Sequence, residues 1–524
     1  MIQSFYTGSA GLGANREWLS VISDNIANVN TIGFKAERAN FEDLISRSLT
    51  TFANGAPKNY EIGGGSFVGS TTKDFSQGSL MNTNTPTDLA LDGEGFFMVQ
   101  DTQGLTYYTR AGQFRTNADG DLINLNGQKL LGWALDKNGN ISGAIKAINI
   151  PNSMDPSQTT KIEFKEPTNL DSRVEVITAP FNPGDSTTFN YVNSFTTYDS
   201  LGNPHITSYY FQRSGTNTWN IYKLIDGTIS PIDVDGTLYK SVRLTFNSDG
   251  TLDVNNVYAD TQVTLATNET QTETTDGYFT LNNPPVRGSI HIKSYTTGGN
   301  TYIVNWHDDG AGKILDENGN VVGTVDYDTG EIRIPLLENT ATTDEITVDY
   351  LHSETAASVA IDPTQVKFAG YDPNNGATNP LSTVENFKEI RQVASDFIFY
   401  AQQDGYAKGD LLSVAVSEDG IVKGVYSNGQ VKDIARIAIA TFKDKEILVR
   451  KGNNLYLPNS QTYTPIIVPG GVISKVRSGF LELSNVDIST EFINLITAQR
   501  AYQANARTIT TSDQVLQETM NIKR

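Results

Sequence analysis

A mainly β chain closed at both ends by α-helices is the fold class the sequence predicts, on three observations. Apolar residues recur at heptad-like steps in roughly the first 30 and the last 40 residues. Between these ends, short apolar runs alternate with Asp-Gly and Asn-Gly pairs, the strongest short hairpin signal. Gly (45), Tyr (23) and Phe (23) are abundant and only 19% of the 524 residues are charged, a balance that favours strands and turns over a helical bundle. At roughly 100 to 200 residues per domain, the length predicts about three or four domains.

The first helix is read from Phe5, Leu12, Leu19, Ile22, Ile26 and Val29, spaced by seven, seven, three, four and three, one stripe of a coiled-coil-like helix. The stretch NIANVNTIGF then sets Asn25, Asn28 and Asn30 beside Gly33. A polar run of this kind suits a polar active-site loop or a metal loop as well as a helix end. Asparagine tolerates the left-handed conformation of a C-terminal cap and Gly33 adds freedom to turn, so the stretch reads first as a stop signal. Phe34 and Phe41 then restart apolar contact.

The last helix mirrors the first. Ile488, Phe492, Leu495, Gln499, Tyr502, Ala506, Ile509, Asp513, Leu516 and Met520 alternate steps of four and three. Ser484 with Asp487 suggests a capping box, and Lys523 and Arg524 suit the negative end of the helix dipole. Both helices are rich in Thr, Ser, Ala and Asn outside the stripe, and such helices are marginal without tertiary packing. They are expected to pair with each other as a coiled coil and to meet further copies of themselves.

Hairpin grammar fills the middle. LDGEGFFMVQ, the stretch from Tyr107 to Trp133, and LTFNSDGTLDV alternate apolar runs with turn pairs, and the same pattern returns in LLSVAVSEDGIVKGVYSNGQVKDIARIAIATF. A β-domain on each side of a long middle, between helices that want to meet, predicts a chain that goes out and comes back, with β-rich domains nested one inside the other. EIGGGSFVGS is read as a loop before the first β block, and INIPNSMDPSQTT as a linker. A short helix is expected around Val384 to Val393.

Several function classes are excluded. A net charge of −20 and a pI near 4.6 argue against nucleic acid, whose phosphates require a Lys/Arg surface. Cysteine is absent, which removes disulfides, thiolate metal sites and a thiol nucleophile. No apolar run reaches the ~18 residues of a membrane span, so no membrane insertion is expected. The first residues lack a basic segment followed by an apolar core, so no ordinary signal peptide is expected; this fits the cytoplasm, or export without a cleaved signal. His205, His291, His307 and His352 lie far apart without a zinc motif. The Asp-x-Asn-x-Asn runs from Asp136 and Asp316 lack the glycine and glutamate of a calcium loop and read as hairpin turns. Asp308 and Asp309 read as ordinary surface acids. No catalytic residue, metal or cofactor is assigned, and an enzyme is not expected.

SDNIANVNTIGFKAERANFEDL, LDGEGFFMVQ with YYTRAGQFRTNADGDLINLNGQKLLGW, and the terminal SGFLELSNVDISTEFINLITAQRAYQANARTITTSDQVLQ resemble the bacterial flagellar axial proteins of the rod, hook and hook-associated group. Within it, FTTYDSLGNPHITSYYF, LTFNSDGTLDV and QDGYAKGDLLSVAVSEDGIVKGVYSNGQ are similar to the hook branch. The resemblance implies a self-assembling, curved hollow tube that joins rod to filament as a universal joint and export channel, built outside the cell by type III export. The partners implied are many copies of the chain, the distal rod protein, the hook cap, the hook-filament junction protein, the hook-length control protein and the flagellar type III export apparatus. Asn25, Asn28, Asn30, Gly33 and Phe34 would turn the chain from an inner helix into a connecting segment. The expected layout is a terminal helical domain (1–30 and 485–524), a connecting segment (31–70 and 470–484), an inner β-domain (71–145 and 365–469), an outer β-domain (146–260 and 355–364) and an additional outermost β-rich domain (261–354). A distal rod or hook-associated junction protein is the near alternative, and a secreted β-rich adhesin the distant one.

Overall fold

The computed structural model describes residues 2–53, 56–136, 139–338, 343–370, 372–377, 381–459 and 464–522. Lys523 and Arg524, expected at the end of the last helix, lie outside them, as do residues 137 and 138 of the Asp136 turn. The chain is mostly strand, with helix α1 (Ile2–Ala27) near one end and helix α2 (Ile488–Ile522) near the other. It forms two compact units, Met1–Met154 with Asp410–Arg524, and Asp155–Gly409.

In the first unit, strands from both sides of the intervening segment share one sheet. Phe96–Gln100 pairs with Thr106–Thr109 and Lys129–Leu135, and the returning strand Val431–Thr441 pairs with Lys129–Leu135 and with Phe96–Gln100, all antiparallel. Alternation sends Phe97, Val99, Leu130, Ile437 and Ile439 into one buried cluster. Their neighbours Phe96, Met98, Leu131, Ala438 and Ala440 enter another. A sheet covered on both faces reads as continuous apolar sequence, which explains the unbroken runs FFMV and IAIA. The turns follow the residue chemistry: the Asn117 carboxamide oxygen accepts the N–H groups of Asp119 and Asp121, and Gly120 takes φ +84°, so the side chain itself closes the hairpin.

In the second unit the sheet closes on itself. Its two longest strands, Leu252–Thr272 and Glu345–Ala360, run antiparallel with register shifts. One core gathers Tyr209, Phe211, Trp219 and Leu244, and a second gathers Phe279, Ile292, Ile332 and Tyr350. The expected boundaries at 260/261 and 354/355 fall inside these two strands, because the polar Thr-rich run pairs as one ribbon.

Three further expectations are corrected. Residues 384–393 form the strands Thr383–Asn386 and Arg391–Val393, paired in parallel with Lys161–Phe164 and Asn169–Asp171; ladder bonds to distant strands outweigh a weak local helix signal. Residues 365–409, expected in the inner β-domain, pack in the second unit, where Val366–Phe368 joins Ile232–Val234 and Thr383–Asn386. EIGGGSFVGS is not a plain loop, since Ser66–Lys73 is a strand paired with Glu37–Asp43.

The acidic turns are occupied by their own backbone. Asp316 Oδ1 accepts from the N–H of Asn318 and Asn320. Asp308 is not a surface acid: it is buried, accepts from Gly288 N–H, Ile290 N–H and the Tyr327 hydroxyl, and burial pushes its pKa up to about 6.

His205 carries a testable pH dependence. Burial lowers its pKa, but the Asp226 and Asp199 carboxylates, 2.6 and 3.4 Å away, reverse this and leave it above the ordinary histidine value. A raised folded-state pKa stabilises the fold fully below the unfolded value, and that contribution disappears as pH rises through the raised value. The stability advantage of the native chain over a His205→Gln variant, measured by urea unfolding, is therefore expected to be largest near pH 6 and to shrink toward pH 9. An advantage that grows with pH would reverse the assignment.

Candidate assembly site

The terminal helices pair antiparallel. Ser4 Oγ lies 3.3 Å from Ser512 Oγ, the position of a Cβ on Gly11 would fall 2.8 Å from Asn505, and Asn25 Nδ2 donates to Glu491 Oε1 at 3.2 Å. The contact face of α1 is Gly8, Gly11, Ala14, Asn15, Ile22 and Asn25, all buried; that of α2 centres on Ala498, Asn505, Ile509 and Ser512. Small residues set a short interaxial distance, and a Cβ on Gly8 would already stand 3.1 Å from Ile509 Cγ1.

This differs from the stripe of large apolar residues that spacing predicts. Ile22 is buried and Ile509 touches α1, while Leu12, Leu19, Ile26, Val29, Leu495 and Leu516 are half-buried. Phe5 (41%), Ile488 (43%), Phe492 (48%) and Tyr502 (40%) stay exposed, and so do Ile493 (65%) and Ile496 (50%), which lie off the stripe. Periodicity finds the helices, but it cannot tell which apolar face meets the partner helix and which is left open.

Helix α2 starts on Asp487, whose carboxylate accepts from the N–H groups of Ser489 and Thr490. The cap is thus Asp487 itself. Ser484 Oγ instead accepts from Val486 N–H.

The turn after α1 is held residue by residue. Asn25 is buried, donates to the Glu37 carbonyl at 2.8 Å and accepts from Glu37 N–H at 2.9 Å, so one carboxamide locks the helix to the strand that follows it. Asn28 Nδ2 donates to the Asp24 carbonyl at 2.9 Å, and Asn28 Oδ1 accepts from the Thr31 hydroxyl. Asn30 is exposed beside Thr31, Asn124 and Asn454 in a polar cleft. Gly33 adopts φ +69° and donates its N–H to the Glu482 carbonyl at 2.7 Å; a Cβ there would sit 2.5 Å from the Ala111 nitrogen. Both the left-handed backbone and the close approach require glycine. Phe34 is buried with the Arg450 guanidinium 4.6 Å from its ring centroid.

Beneath the turn lies a charge cluster that the sequence reading missed. Lys35 Nζ is 2.7 Å from Glu482 Oε1, Arg110 Nη1 is 3.1 Å from Glu482 Oε2, and Gly78 N–H donates to Glu482 Oε1 at 2.9 Å. All three charged side chains are buried. Asn485 accepts from Ala36 N–H and donates to the Asp74 carbonyl, and Arg450 bridges Asp24 and Glu37. The junction therefore joins both helices to the first β-sheet through residues more than 400 positions apart in sequence. Lys35, Arg110 and Glu482 carry no periodic signal: Phe34 and Leu481 flank the first and last, as apolar residues flank many surface charges, and Arg110 has only Thr109 and Ala111 beside it.

Comparison with known proteins agrees along the whole length. Residues 5–35 match the flagella basal body rod protein family, 90–166 the flagellar hook protein FlgE/F/G D1 domain, 169–406 the flagellar basal body protein FlaE D2 domain and 477–522 the flagellar basal body rod FlgEFG protein C-terminal family. The flagellar hook protein FlgE of Treponema pallidum is 30% identical over 543 aligned residues, covering 100% of both chains. The chain belongs to the flagellar hook protein family. The hook protein of Salmonella typhimurium is 29% identical, with 99% of this chain and 100% of that one covered. A solved structure, the Helicobacter pylori hook protein FlgE2, aligns with 77% of this chain and 100% of its own at 15% identity and TM-score 0.33, too loosely to argue from.

Proposed function

We propose that this hook-family chain is a structural subunit of the flagellar hook, and that it polymerises through its terminal helices into a curved hollow tube transmitting torque from rod to filament. The observation that carries the reading is the apolar surface that α2 leaves open. Ile488, Phe492, Ile493, Ile496, Tyr502, Val515 and Met520 are exposed along one 35-residue helix, which is about 50 Å long. Apolar side chains spread over so much of one helix are covered in a working molecule, and in a homopolymer their cover is further copies of the same helix pair.

The residues named from the sequence take their roles within this reading. Phe5, Leu12, Leu19, Ile22, Ile26, Val29, Ile488, Phe492, Leu495, Tyr502, Ile509 and Leu516 serve the packing of helices within and between subunits. Asn25, Asn28, Asn30, Gly33 and Phe34 lead the chain from helix to connector. Extracellular assembly follows export through the flagellar type III apparatus, and the remaining partners are the distal rod protein, the cap, the junction protein and the length-control protein. The chain works by shape and contact rather than by catalysis.

Seeded polymerisation followed by negative-stain microscopy tests the reading. The full chain is expected to extend seeds into curved hollow tubes, and a chain lacking residues 485–524 to give none. Persistent monomers of the full chain on competent seeds would sink it.

A further inference from the structure

The second unit holds a lysine and a glutamate sealed together in its core. Lys223, on the strand Thr218–Ile225, and Glu385, on Thr383–Asn386, both have fully buried side chains, with Nζ 2.7 Å from Oε1. The two strands are not hydrogen-bonded neighbours in the sheet, so the pair reaches between separate parts of it. Its surroundings are aromatic apart from one hydroxyl: Nζ lies 4.9 Å from the Phe368 ring centroid and 5.9 Å from that of Tyr209, and it donates to Thr383 Oγ1.

The carboxylate is lopsided. Oε1 receives Lys223, the Tyr209 hydroxyl at 2.5 Å and the Thr383 hydroxyl at 3.1 Å, while Oε2 is buried with no hydrogen-bond partner. The Lys35–Glu482 pair offers an internal comparison at the same 2.7 Å separation and equal burial. There Arg110 holds Oε2 and Gly78 N–H holds Oε1, so both carboxylate oxygens have partners. At Glu385 one oxygen has none, and a buried ion pair is costly when its remaining lone pairs go unsatisfied. Moving one proton from Nζ to the carboxyl group leaves the total charge unchanged and gives a neutral amine beside a neutral acid. Burial pushes Lys223 below the ordinary lysine value, which favours the neutral amine.

We propose that Lys223 and Glu385 condense into an intramolecular amide that covalently links these two strands. The amine lone pair attacks Cδ, and the carbonyl electrons move onto Oε1, where the Tyr209 hydroxyl stabilises the developing charge. The C–Oε2 bond then breaks, and Oε2 leaves with the carboxyl proton and one amine proton as water. No oxidant, reductant or further reactant enters. Fixed proximity supplies an effective molarity of up to roughly 10⁵–10⁸ M. The product removes the orphaned oxygen: the remaining carbonyl keeps Tyr209, and the amide N–H keeps Thr383 as its acceptor. In a chain without cysteine, such a link takes the place a disulfide would hold.

The test is the intact mass of the full-length folded chain. The expected mass is lighter than the sequence by one water, with tryptic peptides containing residues 223 and 385 recovered joined and those containing 35 and 482 recovered separately. Lys223→Met and Glu385→Met chains are expected to regain the full mass whether or not they fold well. A native chain at its sequence mass, or a lost water that maps to an Asp-Gly turn, overturns the proposal.

Discussion

Replacing Glu482 by Gln is expected to destabilise the first unit by about 3–5 kcal/mol, the typical loss when one partner of a buried charge cluster is removed. The substitution keeps the volume, so the loss reports charge rather than a cavity. It leaves Lys35 and Arg110 buried beside each other without the carboxylate that 2.7 and 3.1 Å contacts now bring to both. Burial already pulls the Lys35 ammonium below its ordinary value against the opposing pull of Glu482, so the variant's lysine should give up its proton more readily still. Lys35→Met is the informative contrast, because it leaves one cation on one carboxylate and should cost distinctly less. Urea unfolding of the two variants decides the matter: a loss under 1 kcal/mol for Glu482→Gln would make the cluster no more than a surface-like pair. The backbone carbonyl of residue 482, which accepts from Gly33 N–H, is unchanged by the substitution, so the loss reads the side-chain charge alone.

A second large effect is expected from Phe492→Glu combined with Ile496→Glu. Both side chains are about half exposed in the single subunit, so the unfolding midpoint should hardly change. Within a polymer the same positions would be covered, and burying two unpaired carboxylates costs several kcal/mol per subunit contact. Seeded growth should stop while the monomer remains folded, which a truncation alone does not separate. Normal tubes from this double variant would show that another face of α2 carries the contact between copies. Asn505→Leu provides the opposite probe, since it strikes the face that packs on Gly11 and should lower monomer stability first.

The sequence made the ends of the molecule legible and its middle less so, for physical reasons that differ by element. A helix announces itself through its period, and α1 and α2 end and begin within a few residues of the asparagine run and Asp487. Which face packs was hidden, because contact through Gly8, Gly11 and Ala498 uses residues that a hydrophobic stripe does not count. Gly33 was legible as a turn, whereas its approach to Ala111 depends on a segment nearly 80 positions away. Lys35, Arg110 and Glu482 were invisible because a charge's burial is decided by residues far off in the chain. The run around Val384 looked helical on local preference and became two strands, since each gained a partner ladder.

The bridge between Ser157 and Tyr406 bears on time rather than on shape. Closing the junction from a free chain means joining positions separated by 447 residues, a loop whose entropy costs on the order of 5 kcal/mol. Once residues 155–409 have folded, their own first and last strands hold positions 157 and 406 side by side, and the remaining search is short. Helix α2 follows all of these elements in the sequence. A subunit interrupted before it would carry α1 with its small-residue face bare and Lys35 without Glu482. Within the proposed assembly, loss of α2 is therefore expected to undo the junction and the joining of copies together, so the two properties should fail as one.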